Sequence, residues 1–123
     1  MNIEEYREFC LSQGDDVEEK MPFTAFPRAG SVLVFYVHGH MFSFFDCDKF
    51  EVITLKHQPE NIDELRAEYD CIVRPSNLSP KYWIGIVPTA APDELLRQLT
   101  RNSYEIVKAK YKIKNSTVKN EPN

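Results

Sequence analysis

Ile3, Tyr6, Phe9 and Cys10 recur at spacings that share one face of a helix, while Glu4, Glu5, Arg7 and Glu8 fall elsewhere. The chain is therefore expected to open with a short amphipathic helix. Asn2 is placed to cap it, Glu5 three positions on completes a capping-box start, and Gly14 is a reasonable stop. From Gly14 to Gly30 no period is visible. Asp15, Asp16, Glu18, Glu19, Pro22 and Pro27 predict an irregular connection there, with Phe23 and Phe26 pinning it to the core.

The runs Val32-Leu-Val-Phe-Tyr-Val and Met41-Phe-Ser-Phe-Phe, broken by His38-Gly-His, predict a β-hairpin. Asp46-Cys-Asp-Lys supplies turn chemistry before Val52-Ile-Thr-Leu-Lys, so a third neighbouring strand extends the hairpin to a meander. Pro59 suits a first helical turn, and Ile62, Leu65 and Tyr69 carry a second helix to about Asp70. Cys71-Ile-Val-Arg, stopped by Pro75, and Tyr82-Trp-Ile-Gly-Ile-Val, ended by Pro88, predict two more strands. Pro92-Asp-Glu opens a last helix striped by Leu95, Leu96, Leu99, Ser103, Ile106 and Val107.

The order α-β-β-β-α-β-β-α predicts an α+β fold, a two-layer α/β sandwich with about five mainly antiparallel strands and three helices. One domain is expected over residues 1–114, with 115–123 as a polar, unstructured tail. No internal repeat of solenoid length is present.

Composition narrows the classes without naming an activity. With 123 residues, 42% hydrophobic and 28% charged, and only 4 Gly, the chain is too apolar for disorder and too short for two full domains. No apolar run approaches the roughly 18 residues of a membrane span, and the first residues lack a signal-peptide pattern, so a cytoplasmic protein with no membrane partner is expected. Cys10, Cys47 and Cys71 show no C-x-x-C spacing and predict reduced, mostly buried thiols. The net charge of -4 is unevenly spread: six basic face two acidic residues from position 101 on, against nine and seventeen before it.

Several segments together resemble the MmcQ/YjbR family of small bacterial proteins. They are Ile3-Glu-Glu-Tyr-Arg-Glu-Phe-Cys, Gly39-His-Met-Phe, Leu55-Lys-His-Gln-Pro-Glu, Ser79-Pro-Lys-Tyr-Trp and Ser103-Tyr-Glu-Ile-Val, within residues 1–109. The resemblance implies a CyaY-like, secretion-chaperone-like two-layer architecture and DNA binding through a double-wing arrangement of hairpins. Two positions depart from the pattern. Lys81-Tyr82-Trp83 stands where relatives carry a stretch such as K-R-H-W, and His40 stands where G-K-M-F carries Lys, so both places are less cationic here.

His38 and His40 with Asp46 and Asp48 suggest a divalent-metal site, but Gly39 suits a turn and no third His or Cys completes a ligand set, so no metal is expected. Cys47 or Ser103 can be drawn beside His57, yet nothing orients such a pair, and the P-loop, G-x-G-x-x-G, H-E-x-x-H and G-x-S-x-G motifs are all missing. Neither enzyme activity nor a cofactor is expected.

The lysines at 108, 110, 112 and 114 alternate with other residues. Extended, they would align along a polyanion at phosphate-like spacing; helical, they would spread around a solvated helix end. Arg74, Lys81, Tyr82 and Trp83 flank the second hairpin loop, with Trp83 read as the buried partner and Tyr82 as free to stack. The plainer reading makes Tyr82 a surface aromatic and Arg74 a partner of Asp70. The leading expectation is a non-enzymatic, weak DNA-binding module using Arg28, Arg74, Lys81, Tyr82, Lys108, Lys110, Lys112 and Lys114 on phosphates. Its alternative is a protein-interaction or chaperone-like adaptor.

Overall fold

A computed structural model describes residues 1–119 of the chain, with side chains described as far as Tyr111. Helix α1 (Ile3–Leu11) begins with the expected reciprocal cap: the Glu5 amide donates to Asn2 Oδ1 at 2.8 Å and the Asn2 amide to Glu5 Oε1 at 3.0 Å. There follow β1 (Val17–Lys20), β2 (Val32–Val37), β3 (His40–Asp46) and β4 (Ile53–Lys56). A 3-10 turn at Pro59–Asn61 leads into α2 (Ile62–Glu68), then come β5 (Ile72–Val73), β6 (Trp83–Ile86) and α3 (Asp93–Lys119).

The sheet has six strands in the order β1-β2-β3-β4-β6-β5, every neighbour pair antiparallel. The expected fold class holds, with one strand more than the sequence suggested. That strand is β1, in the segment read as irregular. Its Val-Glu-Glu-Lys sequence carries no apolar alternation because it is an edge strand, with Glu18 and Lys20 exposed and Glu19 held in a two-point pair by Arg7 of α1.

Helix α3 also runs further than expected. It takes in Asn115 to Lys119, positions assigned above to an unstructured tail; residues 120–123 of that tail lie outside the described residues. No Gly or Pro interrupts 93–119, so a helix already anchored on the sheet extends without a new nucleation cost.

The β2–β3 turn is two residues long, with φ of 52° at His38 and 79° at Gly39. Both values are positive, as the tight hairpin turn that matches strand twist requires. Further along, Phe35 pairs with Ser43 while Tyr36 pairs with Met41, which leaves Phe42 as one extra residue in β3. This β-bulge reverses the alternation of β3. Phe42, Ser43 and Phe45 are all fully buried on the helix side, with Phe35, Leu55, Ile84 and Leu96 in the same core. Met41 and Phe44 are left half-buried on the opposite face.

Four buried hydroxyls close the polar gaps around the bulge. Ser103 Oγ of α3 donates to the Phe42 carbonyl at 2.5 Å and accepts from the Lys56 amide at 2.9 Å. Tyr6 Oη lies 2.8 Å from Ser43 Oγ and 3.0 Å from Thr100 Oγ1, joining α1, β3 and α3 through one atom. Burial, first of all, pushes the Tyr6 phenol well above its usual range, so it stays neutral throughout.

A second polar cluster ties the start of β1 to α3. Asp16 accepts from Tyr104 Oη at 2.7 Å and pairs with Lys108 Nζ at 3.1 Å, and Lys108 Nζ also donates to Tyr104 Oη at 3.0 Å. Partial burial works against the Asp16 carboxylate, but the Tyr104 hydroxyl and the Lys108 ammonium outweigh it and hold its pKa below the ordinary 3.8.

Replacing Tyr6 by Phe should cost about 1–3 kcal/mol with the denaturant m-value unchanged, because two buried hydroxyls lose their common partner. Urea unfolding measures this, and a neutral result would show the network to be dispensable. A depressed carboxylate adds stability above its unfolded pKa that is lost as pH falls through its folded one. Asp16→Asn should therefore unfold more readily than the native chain at pH 7, and the gap should narrow as pH drops below 3.8. A gap that stayed constant down to low pH would mean that the carboxylate charge is not what holds β1 to α3.

Candidate functional site

The helices cover one face of the sheet; two loops, 21–31 and 74–82, lie over the other. On that outer face the pairings run Val34 to Phe44, Phe44 to Thr54 and Thr54 to Gly85, a row across four strands. Val34 is 1% exposed yet stands outside the main core cluster, so the loops bury it from this side. Gly85 is what lets the second loop lie down. A Cβ there would come within 2.7 Å of the Arg74 carbonyl and 2.9 Å of Val52.

Between the loops runs a groove of about 460 Å³. Val32, Met41 and Phe44 form its floor, Phe23 and Phe26 one wall, and Leu78 with Ser76 and Asn77 the other. Phe23 and Phe26 are 39% and 61% exposed and meet edge to face, with ring centroids 6.5 Å apart. They do not pin their loop to the core, as their apolar character suggested; they face solvent at the mouth of the groove. An adjoining depression of about 320 Å³ shares Arg28, Val32, Phe44 and Asn77 and ends among Asp46, Lys49 and Glu51.

The cations singled out in the sequence divide between two faces. Arg28 lines both depressions, and Arg74 and Lys81 stand exposed on the second loop. Among the described residues none of these three forms an ion pair, so the suggested Arg74 partnership with Asp70 is not made. Tyr82 is 43% exposed with Lys81 Nζ 5.4 Å from its ring centre. Trp83 is not the core residue expected. Its strand neighbour Ile84 points into the core, so Trp83 sits half-buried on the outer face with Lys56 Nζ 5.4 Å from its ring centre.

The lysines of α3 take the helical alternative, not the extended row. Lys108 is engaged by Asp16 and Tyr104, and Lys110 Nζ lies 5.3 Å from the ring centre of Tyr111. The side chains of Lys112 and Lys114 lie outside the described ones. On the helical side Arg7, Arg97 and Arg101 are each paired with a carboxylate.

The pairs drawn for nucleophilic chemistry have structural roles. Ser103 bridges the bulge, as described above. His57 Nδ1 lies 3.2 Å from Asn102 Nδ2, and burial lowers its pKa. Burial, with Asp46 and Asp48 nearby, raises the Cys47 thiol, which makes it a poorer nucleophile. His38 turns toward Asp16, its Nε2 4.0 Å from the carboxylate, and His40 stacks on Tyr111. Among the described residues no three His, Cys, Asp or Glu side chains gather as a metal site would need.

The groove itself has no signature in the sequence. Met41-Phe-Ser-Phe-Phe reads only as an apolar strand, and the bulge in β3 is what brings Met41 and Phe44 to the same outer face.

No helix among the described residues is long and apolar enough to cross a membrane. No curated protein matches the chain. Among solved structures, the chain is similar to a Deinococcus radiodurans protein carrying a domain called DUF419, with 27% identity over 87% of this chain and 78% of that one, and a TM-score of 0.76. A Pseudomonas syringae protein shares the fold at 19% identity, covering 87% of this chain and 99% of that one with a TM-score of 0.71. The YjbR family model matches residues 13–106, which span the sheet, both loops of the outer face and the anchored half of α3: the chain belongs to the YjbR family.

Proposed function

We propose that this chain is a non-enzymatic module that binds nucleic acid weakly through the loop side of its sheet, chiefly by phosphate contacts. The observation that carries the reading is the grouping of cations on one face. Arg28, Arg74 and Lys81 are exposed on the outer-face loops without carboxylate partners among the described residues. On the helical side Arg7, Arg97, Arg101 and Lys108 are paired with carboxylates, and of the described residues only Arg66 and Lys110 stand exposed there without one.

Guanidinium and ammonium groups free of partners can take phosphate without first breaking an ion pair. Tyr82 beside Lys81 adds a ring on which an unpaired base can stack. The overall charge of -4 opposes a polyanion and keeps affinity modest. Lys108 is assigned no part, and the α3 lysines beyond it contribute at most diffuse attraction.

Fluorescence anisotropy with generic duplex and single-stranded oligonucleotides, from low to physiological salt, tests the reading. With about three phosphate contacts, log affinity should fall with log salt at a slope of about -3 on duplex and about -2 on single strands. Arg74→Gln and Lys81→Gln should each flatten the slope by about one, and Arg97→Gln should leave it alone. Absence of binding at low salt would overturn the proposal in favour of a protein-interaction adaptor.

A further inference from the structure

The groove between the outer-face loops is built unlike a phosphate-tracking surface. At about 460 Å³ it falls within the range of small-molecule sites, roughly 300–1,000 Å³, and its floor and walls are mostly apolar with a few polar groups at the rim. Phe26, 61% exposed at its mouth, is the most solvent-exposed large apolar side chain among the described residues. A large aromatic kept in water beside a preformed apolar slot has surface to gain by covering a ligand.

The rim supplies the charge. Arg28 has no ion-pair partner among the described residues, and the Ser76 and Asn77 side chains, across the groove from it, make no hydrogen bond there either. One cation with two neutral hydrogen-bonding groups suits a carboxylate, which a guanidinium can hold by two parallel bonds. The adjoining end carries Asp46 and Glu51 with Lys49. A Ser31 hydroxyl, 2.7 Å away, lowers the pKa of Asp46 and keeps it charged near neutral pH. Those carboxylates repel a second negative charge on the ligand.

We infer that this groove binds a small amphipathic monoanion, an aryl or medium-chain carboxylate, with its apolar body on Val32, Met41 and Phe44 and its carboxylate on Arg28. The site is separate from the phosphate contacts proposed for Arg74 and Lys81, and only Arg28 serves both.

The test is an amide NMR titration of the full chain with 4-phenylbutyrate and octanoate, with 1-octanol as the uncharged counterpart. Saturable shifts are expected in residues 23–32, 41–44 and 76–78, with the carboxylates binding more tightly than octanol. Arg28→Gln should weaken the carboxylates about tenfold, as loss of a charged hydrogen bond does, and leave octanol unchanged. Phe26→Ala, a change at a 61% exposed position, should weaken all three ligands. Arg74→Gln should leave carboxylate binding intact, which separates this site from the nucleic-acid reading. The inference is overturned by any of three results: no saturable shift in these segments; equal binding of octanoate and octanol; or shifts there that follow protein concentration without ligand, which would assign the groove to a second copy of the chain.

Discussion

Where β3 sets Phe42 and Ser43 against the single residue Phe35, the strand gains a residue, and both faces of the sheet are arranged by that insertion. On the helix side it presents a carbonyl and a hydroxyl that a regular ladder would not. Ser103 and Tyr6 meet them from α3 and α1. A buried polar group left unmet costs about 1–3 kcal/mol, so the helices are located on the sheet by the bulge as well as by the apolar core. On the other side the reversed alternation delivers Met41 and Phe44 to the floor of the groove. The staple and the binding surface are two consequences of one irregularity.

Charge follows the same division. Several helical-side cations are absorbed: Arg7 fixes the edge strand, and Lys108 joins Asp16 and Tyr104 to hold the beginning of β1 against α3. On the loop side neither Arg28 nor Arg74 nor Lys81 forms an ion pair among the described residues. A chain of net charge -4 can thus gather three cations, unpaired among the described residues, on one face. Distribution, not the sum, decides which anions can approach. Aromatic residues share that face, with Tyr82 and Trp83 under lysines and Phe23 and Phe26 at the groove mouth.

Much of this fold is written in local pattern. The α1 cap needs only Asn2 and Glu5, and the hairpin only apolar runs around His38 and Gly39. Those signals act over a few residues. What escaped depends on distant partners. β1 carries a charged sequence because it lies at an edge, and its pairing with β2 leaves no periodic trace. The bulge hides in Phe-Ser-Phe-Phe, where every register looks equally apolar. Lys108 seemed available for a ligand until the fold brought Asp16 to it, and Tyr104 meets that same carboxylate across 88 positions of sequence. Trp83 seemed a core residue because size suggests burial, but strand alternation gave the core to Ile84. Arg28, Arg74, Lys81 and Tyr82 do lie on one side, although the groove between their loops had no signature in the sequence.

Native-state amide exchange on Ser103→Ala tests most directly whether the bulge governs both faces. The substitution removes the acceptor of the Lys56 amide and the donor to the Phe42 carbonyl without touching the groove. If the bulge is the shared constraint, protection should fall by about tenfold or more at Phe42 to Phe44 and at Lys56, beyond any loss in β1 and β2, and the resonances of Met41 and Phe44 should shift. A uniform loss across the sheet that left the Met41 and Phe44 resonances unmoved would contradict the account and make the groove independent of the staple.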